Sequence, residues 1–450
     1  MSTMVMDPQV DKFRAAAEKG NPAAQFNMGL WYLRQPGAAP FAEPAVEWFS
    51  RSARAGFAPA QTMLGRKFLG HPGGERDADQ ARRWFLLAAE QSFTEARYQL
   101  AELSVATGAT DEHYRDARRW LELAVSDNHP LAICQLAYLL DEGIGGRADR
   151  AVSIALYQKA AVAGVPRAWN QLGHYFREGH GFEPDIRAAL ACYLRAARAS
   201  YPGAATAAEA IRAELPEGEL DAANALADEQ LVAVDIVPER IPERPECTPE
   251  VLSKDPRIAV LRNLFTVSEC QHLIAISQPH LRPSMVVSEE GKNVADKMRT
   301  SWEMFFEPEV KDMLVWIYER RLARLSNTRP EQGEPLLILR YEPGQEYKTH
   351  VDYFDPKLPG QKKVIEETGQ RFLTMLTYLS NVDAGGGTEF PRLNIRVEPE
   401  QGTTLAFHNV TPDGLPDPRT KHAGLPVDKG VKWLATRWVR DRDWTGARSR

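Results

Sequence analysis

The chain has 450 residues, of which 43% are hydrophobic and 26% charged, with a formal net charge of -6. That length suggests two or three domains, and that composition excludes a disordered chain. The near-balance of charge offers no bulk field to recruit nucleic acid or an acidic membrane. Residues 1–215 carry 24 basic and 24 acidic residues, whereas 216–246 carries 2 basic and 9 acidic ones, so the negative excess sits in one short connector. Met1–Gly20 lacks a basic stretch followed by an apolar one, and no apolar run reaches bilayer-spanning length, so neither a signal peptide nor a membrane anchor is expected. Cys134, Cys192, Cys247 and Cys270 show no paired spacing and read as reduced thiols of a cytoplasmic protein.

A period of 36 residues runs through the first half. Segments such as AAEKG, SARAG and AAEQS end at Gly20, Gly56, Ser92, Asn128, Gly164 and Ser200. Four positions on, a small residue recurs at Ala24, Ala60, Ala96, Ala132, Ala168 and Ala204, and another four on lie Met28, Leu64, Leu100, Leu136, Leu172 and Ala208. Small and apolar residues at i, i+4 and i+8 make one close-packing helix face. Trp48, Trp84 and Trp120, beside Phe49, Phe85, Leu121, Tyr157 and Tyr193, put a second apolar face on the next helix. Each unit is then a helical hairpin that must stack on its neighbours, with the Trp stripe read as core. The pattern resembles Sel1-like repeats, relatives of the tetratricopeptide repeat, over residues 9–231, best seen in Ala53 to Phe68 and Ala161 to Tyr175. Residues 219–231 suit a capping helix. Such stacks commonly present a surface for a protein partner.

The helical pattern stops near Gln230. Pro238, Pro242, Pro245 and Pro249, interleaved with Glu239, Glu243 and Glu246, make residues 232–250 an extended acidic spacer. From 251 to 446 the chain changes to short β-rich runs at 257–265, 335–341, 371–379, 403–407 and 431–439, with helices expected at 268–277 and 309–325. AGGG (384–387) and PDG (412–414) read as turns. Many short strands with few helices point to a jelly roll, a double-stranded β-helix with flanking helices. The whole is a multi-domain α + β protein.

The chemistry sits in the second half. YEPGQEYKTHVDYF (341–354) places His350 and Asp352 two apart, on one face of a strand. An HxD pair alone also fits an ordinary surface strand. With a second imidazole it completes the two-histidine, one-carboxylate set of non-haem Fe(II) oxygenases, which leaves positions open for an oxo-acid and O2. KHAGLPVDKGVKWLATRW (421–438) supplies His422, and Lys432, ten residues on, supplies a cation for the far carboxylate of 2-oxoglutarate.

These blocks in order, YxxGxxYxxHxDYF, RxxTxLxYL and HAGxPVxxGxKWxxxxW, resemble the prolyl 4-hydroxylase family of 2-oxoglutarate oxygenases, from about Pro256 to Trp438. The resemblance implies His350, Asp352 and His422 as iron ligands and Lys432 as the anchor of 2-oxoglutarate. It adds Tyr341 and Thr374 as hydrogen-bonding partners of that co-substrate, and Tyr347 and Trp438 as substrate-pocket residues. It favours His422 over His408 as the distal ligand, because Lys432 and Trp433 follow with the family spacing. Fe(II), 2-oxoglutarate and O2 are then the cofactors, with ascorbate a candidate reductant. The substrate implied is a prolyl residue of a peptide or protein recruited by the repeats. The alternatives are hydroxylation of another side chain or a small molecule, or an adaptor with an inactive oxygenase domain. Nucleic acid is not expected, since this half is nearly neutral with no basic, aromatic-lined track. The segment between Asp352 and Arg371 is charged and reads as loop, leaving substrate choice open.

Overall fold

A computed structural model of the protein describes residues 8–35, 41–69, 76–108, 110–201, 203–228, 235–241, 247–284, 286–287, 293–294, 299–307 and 310–444. Part of the expected spacer, including Pro242 and Pro245, lies outside the described residues. The chain falls into two compact units, Met1–Ala168 and Trp169–Arg450.

In the first unit, helix Pro22–Leu33 packs on Glu43–Arg54, Ala58–Phe68 on Ala78–Glu90, Thr94–Thr107 on Asp111–Ser126, and Pro130–Glu142 on Arg150–Val162. The 36-residue period is written into the backbone. Gly20, Gly56, Ser92, Asn128 and Gly164 all sit at positive φ between 60° and 89°, the left-handed end of a helix. Ser and Asn therefore replace Gly in the sequence without changing the turn. Aspartates at the same period start the following helices: Asp77 accepts from the Gln80 amide at 2.9 Å and Asp149 from Val152 at 3.1 Å. Within the first two pairs a bare glycine of one helix takes an aromatic face of the other. A Cβ on Gly29 would stand 2.5 Å from the Phe49 ring, and one on Gly65 would strike Phe85. Phe49, Phe85 and Leu121 are fully buried, each worth about 1.5–3 kcal/mol of transfer energy. Trp48, Trp84 and Trp120 are only half-buried. Each leans on the rim of a preceding hydrophobic cluster, so the tryptophan stripe seals the core edge and the residue beside it fills the centre.

The second unit carries further repeat helices, Ile186–Arg198, Ala204–Glu214 and Glu217–Asp228. Tyr193 packs on bare Gly173, and Ser200 again takes a positive φ. Within this unit Asn170 and His174 both hydrogen-bond Gln271 of the helix Val267–Ser277, at 2.5 and 3.0 Å. That helix begins with a Thr266/Glu269 capping box, which satisfies its first free amides.

The strands, in chain order, are β1 (Glu250–Lys254), β2 (Arg257–Leu261), β3 (Arg282–Pro283), β4 (Val286–Val287), β5 (Asn293–Val294), β6 (Trp302–Phe305), β7 (Leu337–Tyr341), β8 (Tyr347–His350), β9 (Arg371–Tyr378), β10 (Ala384–Gly385), β11 (Thr388–Phe390), β12 (Ile395–Val397), β13 (Thr404–His408), β14 (His422–Gly424), β15 (Val427–Lys429) and β16 (Lys432–Arg440). An eight-stranded antiparallel sheet runs β1-β2-β13-β9-β16-β7-β6-β3, and a four-stranded one runs β12-β11-β14-β8. This is the expected jelly-roll pair. Strand alternation divides the large sheet. Leu373, Met375, Trp433, Ala435 and Val439 face the helices Val267–Ser277 and Met313–Leu325. Leu376, Tyr378, Leu434 and Trp438 face inward, with Phe390 and Val397 of the small sheet.

Two readings need correction. The charged stretch after Asp352 contains a helix, Pro359–Thr368, opened by a proline in its first turn and supported by Lys362–Glu366 and Lys363–Glu367 pairs. The helix expected from 309 starts at Met313, because Asp312 caps it by accepting from the Leu314 and Val315 amides.

Candidate active site

β8 and β14 bring the distant histidines together as neighbours: His350 stands directly opposite His422 in the ladder. A register shift between His422 and Gly424 bends β14 beside the site. Asp352 lies just past the end of β8 in a bend, so the pair converges through a strand end and its turn. His350 Nε2 is 3.5 Å from one Asp352 oxygen and His422 Nε2 is 3.8 Å from the other. One ligand atom from each of the three residues lies within 4.8 Å of the others, a grouping open to a single metal ion.

The tautomers follow from the hydrogen bonds. Nδ1 of His350 meets the Lys348 carbonyl at 2.8 Å, and Nδ1 of His422 meets the Thr420 carbonyl at 3.0 Å. A carbonyl only accepts, so both Nδ1 atoms carry the proton and both Nε2 lone pairs face the site. Burial, reinforced by His350, pushes His422 down to about 4, which keeps it a neutral ligand. Burial would raise the Asp352 carboxyl, but His422, His350 and Arg371 together hold it well below its ordinary value. Two neutral imidazoles and one carboxylate suit Fe(II), and three protein ligands leave positions for other groups.

A cavity opens from this triad. Lys432 lines it and is 2% exposed. Its ammonium lies over the Tyr341 and Tyr378 rings at 5.4 and 5.5 Å and makes no ion pair among the described residues. Burial lowers it to about 7, against the pull of Glu398. Tyr341, Tyr347 and Trp438 line the same cavity. Tyr347 stacks on His350 with centroids 3.4 Å apart, and Trp438 lies under the Arg371 guanidinium at 3.6 Å. Arg371 is fixed in turn by a two-pronged bond to buried Glu334, at 2.5 and 2.8 Å.

The structure places Thr374 otherwise than the resemblance implied. Its hydroxyl donates to Asp352 at 2.8 Å and does not line the cavity. The threonines that do are Thr388 and Thr436. Thr388 accepts from the Tyr378 hydroxyl at 2.8 Å, which leaves its own proton to give elsewhere. Thr436 Oγ1 is buried with no hydrogen-bond partner among the described residues. A buried ammonium without a carboxylate and a buried hydroxyl without a partner fit one end of a dicarboxylate such as 2-oxoglutarate. Gly424 also lines the cavity. Arg299 also lines the cavity, over Tyr347 at 5.2 Å. His408 stays outside the metal grouping, half-buried against Phe372.

This fold and site define an oxygenase of the Fe(II)- and 2-oxoglutarate-dependent class, and residues 336–440 match the 2OG-Fe(II) oxygenase superfamily. Residues 22–57, 58–93, 130–165 and 166–201 match the Sel1 repeat. Prolyl 4-hydroxylase 1 of Arabidopsis thaliana is 38% identical over 209 residues, covering 43% of this chain and 72% of its own length. Prolyl 4-hydroxylase 2 of the same plant is 36% identical over 210 residues, covering 42% and 68%. A viral collagen prolyl hydroxylase from Paramecium Bursaria Chlorella virus-1, solved with 2-oxoglutarate, is 27% identical over 41% of this chain and 95% of that one, with a TM-score of 0.32. The chain belongs to the prolyl 4-hydroxylase family. It is a 2-oxoglutarate-dependent dioxygenase that takes Fe(II), 2-oxoglutarate and O2.

Proposed function

We propose that the protein hydroxylates prolyl residues of a polypeptide, and that the repeat helices dock the protein carrying them. The observation that carries this reading is the coupling, in one cavity, of the His350/Asp352/His422 set to the buried ammonium of Lys432, which makes no ion pair among the described residues. The prolyl 4-hydroxylases similar to this half support proline as the residue.

Bound Fe(II) with 2-oxoglutarate and O2 supplies the oxidising chemistry, leaving succinate and carbon dioxide. The chain's own residues bind and orient. His350, Asp352 and His422 would hold the metal through two nitrogens and one oxygen. Lys432 would meet the distal carboxylate of 2-oxoglutarate, with Tyr341, Thr388 and Thr436 adding hydrogen bonds. Leu339, Leu376 and Leu434 keep that pocket apolar, which strengthens the ion pair. Tyr347, Trp438 and Arg299 would face the peptide.

The absence of any paired or CxxC spacing among the four cysteines supports a reducing, cytoplasmic setting, with ascorbate as the reductant that sustains turnover. Among the described residues no helix is long and apolar enough to cross a membrane.

The test incubates the full chain with Fe(II), 2-oxoglutarate, ascorbate and a panel of proline-containing peptides. Peptide mass should rise by one oxygen on proline, in step with succinate. Oxygen gained on another residue or on a small molecule, with prolines untouched, would overturn the substrate assignment. Absence of succinate under all conditions would leave only an adaptor role.

A further inference from the structure

Asp352 is held at two levels. The main chain two residues on is fixed: Gln370 donates to the Phe354 carbonyl at 2.7 Å and accepts from the Phe354 amide at 2.8 Å. The Asp352 side chain is fixed separately, by a chain of buried groups. Asn409 Nδ2 donates to Thr374 Oγ1 at 2.8 Å, and Thr374 Oγ1 donates to Asp352 Oδ2 at 2.8 Å. Thr374 and Asn409 are both fully buried.

The direction of this chain is forced. An ionised carboxylate only accepts, so the single Thr374 proton must point at Asp352. The threonine oxygen then needs a donor, and the Asn409 amide must present its NH2 group. Asn409 Oδ1 is left buried without a hydrogen-bond partner among the described residues. A buried acceptor left unpaired is costly, so the arrangement favours Asp352 at the expense of Asn409. The main chain of Asn409 is independently anchored, accepting from Asp417 at 3.0 Å and donating to Phe372 at 2.8 Å. Its side chain is thus free to serve only this contact. Thr374 engages one carboxylate oxygen and stops rotation of the group, leaving the oxygen that faces His350 Nε2 at 3.5 Å.

We infer that Thr374, oriented by Asn409, is a positioning residue that sets how Asp352 meets the metal. This rests on the metal site described above and is independent of which substrate is hydroxylated.

The experiment measures Mn(II) binding to the apo full-length chain, then the visible charge-transfer band of the anaerobic Fe(II)–2-oxoglutarate complex. Four variants are compared: T374V, T374S, N409D and T374V/N409D. T374V keeps shape and removes the donor, and metal affinity should fall about 10–100-fold, as for other partners of metal ligands. T374S restores the donor and should restore affinity. N409D replaces the amide with an acceptor that competes for the Thr374 proton, so it should weaken the metal much as T374V does. The double variant should equal T374V alone, because Asn409 acts only through Thr374. The charge-transfer band should shift in T374V and N409D and not in T374S. Should T374V fail to fold, T374S and N409D carry the comparison. Wild-type Mn(II) affinity in a folded T374V or N409D overturns the inference. A wild-type chain that binds no Mn(II) overturns the metal site itself, whatever the substrate.

Discussion

Lys432 is a buried cation at the cavity wall that makes no ion pair among the described residues, and this makes 2-oxoglutarate binding a proton-linked event. Burial lowers the ammonium from its ordinary 10.5 to about 7. A bound carboxylate restores the charged form, so the folded pKa rises on binding. Below pH 7 the lysine is already charged and affinity should be flat. Above pH 7 each binding event must take up a proton, and affinity should fall about tenfold per pH unit, or about 1.4 kcal/mol. From pH 7 to 9 the loss is on the order of 100-fold. Isothermal titration of 2-oxoglutarate into the Mn(II)-loaded chain, in buffers of different ionisation enthalpy, reads both the slope and the proton uptake. Lys432→Arg is the control, since a guanidinium keeps its proton and should flatten the slope. The same shift affects stability with a definite sign. Between about 7 and 10.5 the unfolded chain binds more protons than the apo fold, so apo stability rises with pH across that window, and the penalty is fully present below it. Lys432→Met should therefore raise the apo melting temperature at pH 7 while abolishing 2-oxoglutarate binding. A wild-type affinity that stays level from pH 6.5 to 9, or an arginine variant with the same slope as wild type, would refute the reasoning.

The remaining expectations are narrower. His350→Ala, Asp352→Ala or His422→Ala should each remove Mn(II) binding and reduce succinate formation to background, with circular dichroism unchanged. Tyr378→Phe removes the donor to Thr388 and should raise the KM for 2-oxoglutarate several-fold at constant kcat, equivalent to about 1 kcal/mol. Gly65→Ala gains about 1 kcal/mol of helix propensity but drives a methyl into three atoms of the Phe85 ring. Overpacking of about 1–3 kcal/mol should win, lowering the urea midpoint of the first unit's transition.

Legibility in the sequence followed the kind of constraint each residue satisfies. The repeat was readable because its turn demands a left-handed residue every 36 positions, and Gly, Ser and Asn are the residues that tolerate it. The small residues facing Phe49 and Phe85 report the same period from the packing side. The tryptophans were harder, because a recurring aromatic marks contact without saying whether it fills the core or closes its edge. In the second unit the three ligands and Lys432 stood out, since a dry site needs those charges in those places. The helix Pro359–Thr368 was masked by its own charge: lysine and glutamate four apart read as solvated loop, yet they are i,i+4 partners on a helix.

The two threonines separate these cases further. A threonine in RFLTMLTYL, close to the catalytic block, invites assignment to the co-substrate. Strand periodicity gives a better guide. From Lys432, steps of two along β16 reach Leu434, Thr436 and Trp438, and all of them line the cavity. Thr436 was thus available to sequence reasoning once Lys432 was placed. Thr388 was not, because it follows a glycine turn whose geometry decides which strand it joins. Thr374 lies on the inward face of β9 as well, but Asp352 intercepts its hydroxyl before the cavity. Facing the site and touching the co-substrate are therefore different properties. The first follows from alternation, whereas the second depends on which buried acceptor lies nearer, and here a metal-binding carboxylate is the nearer one.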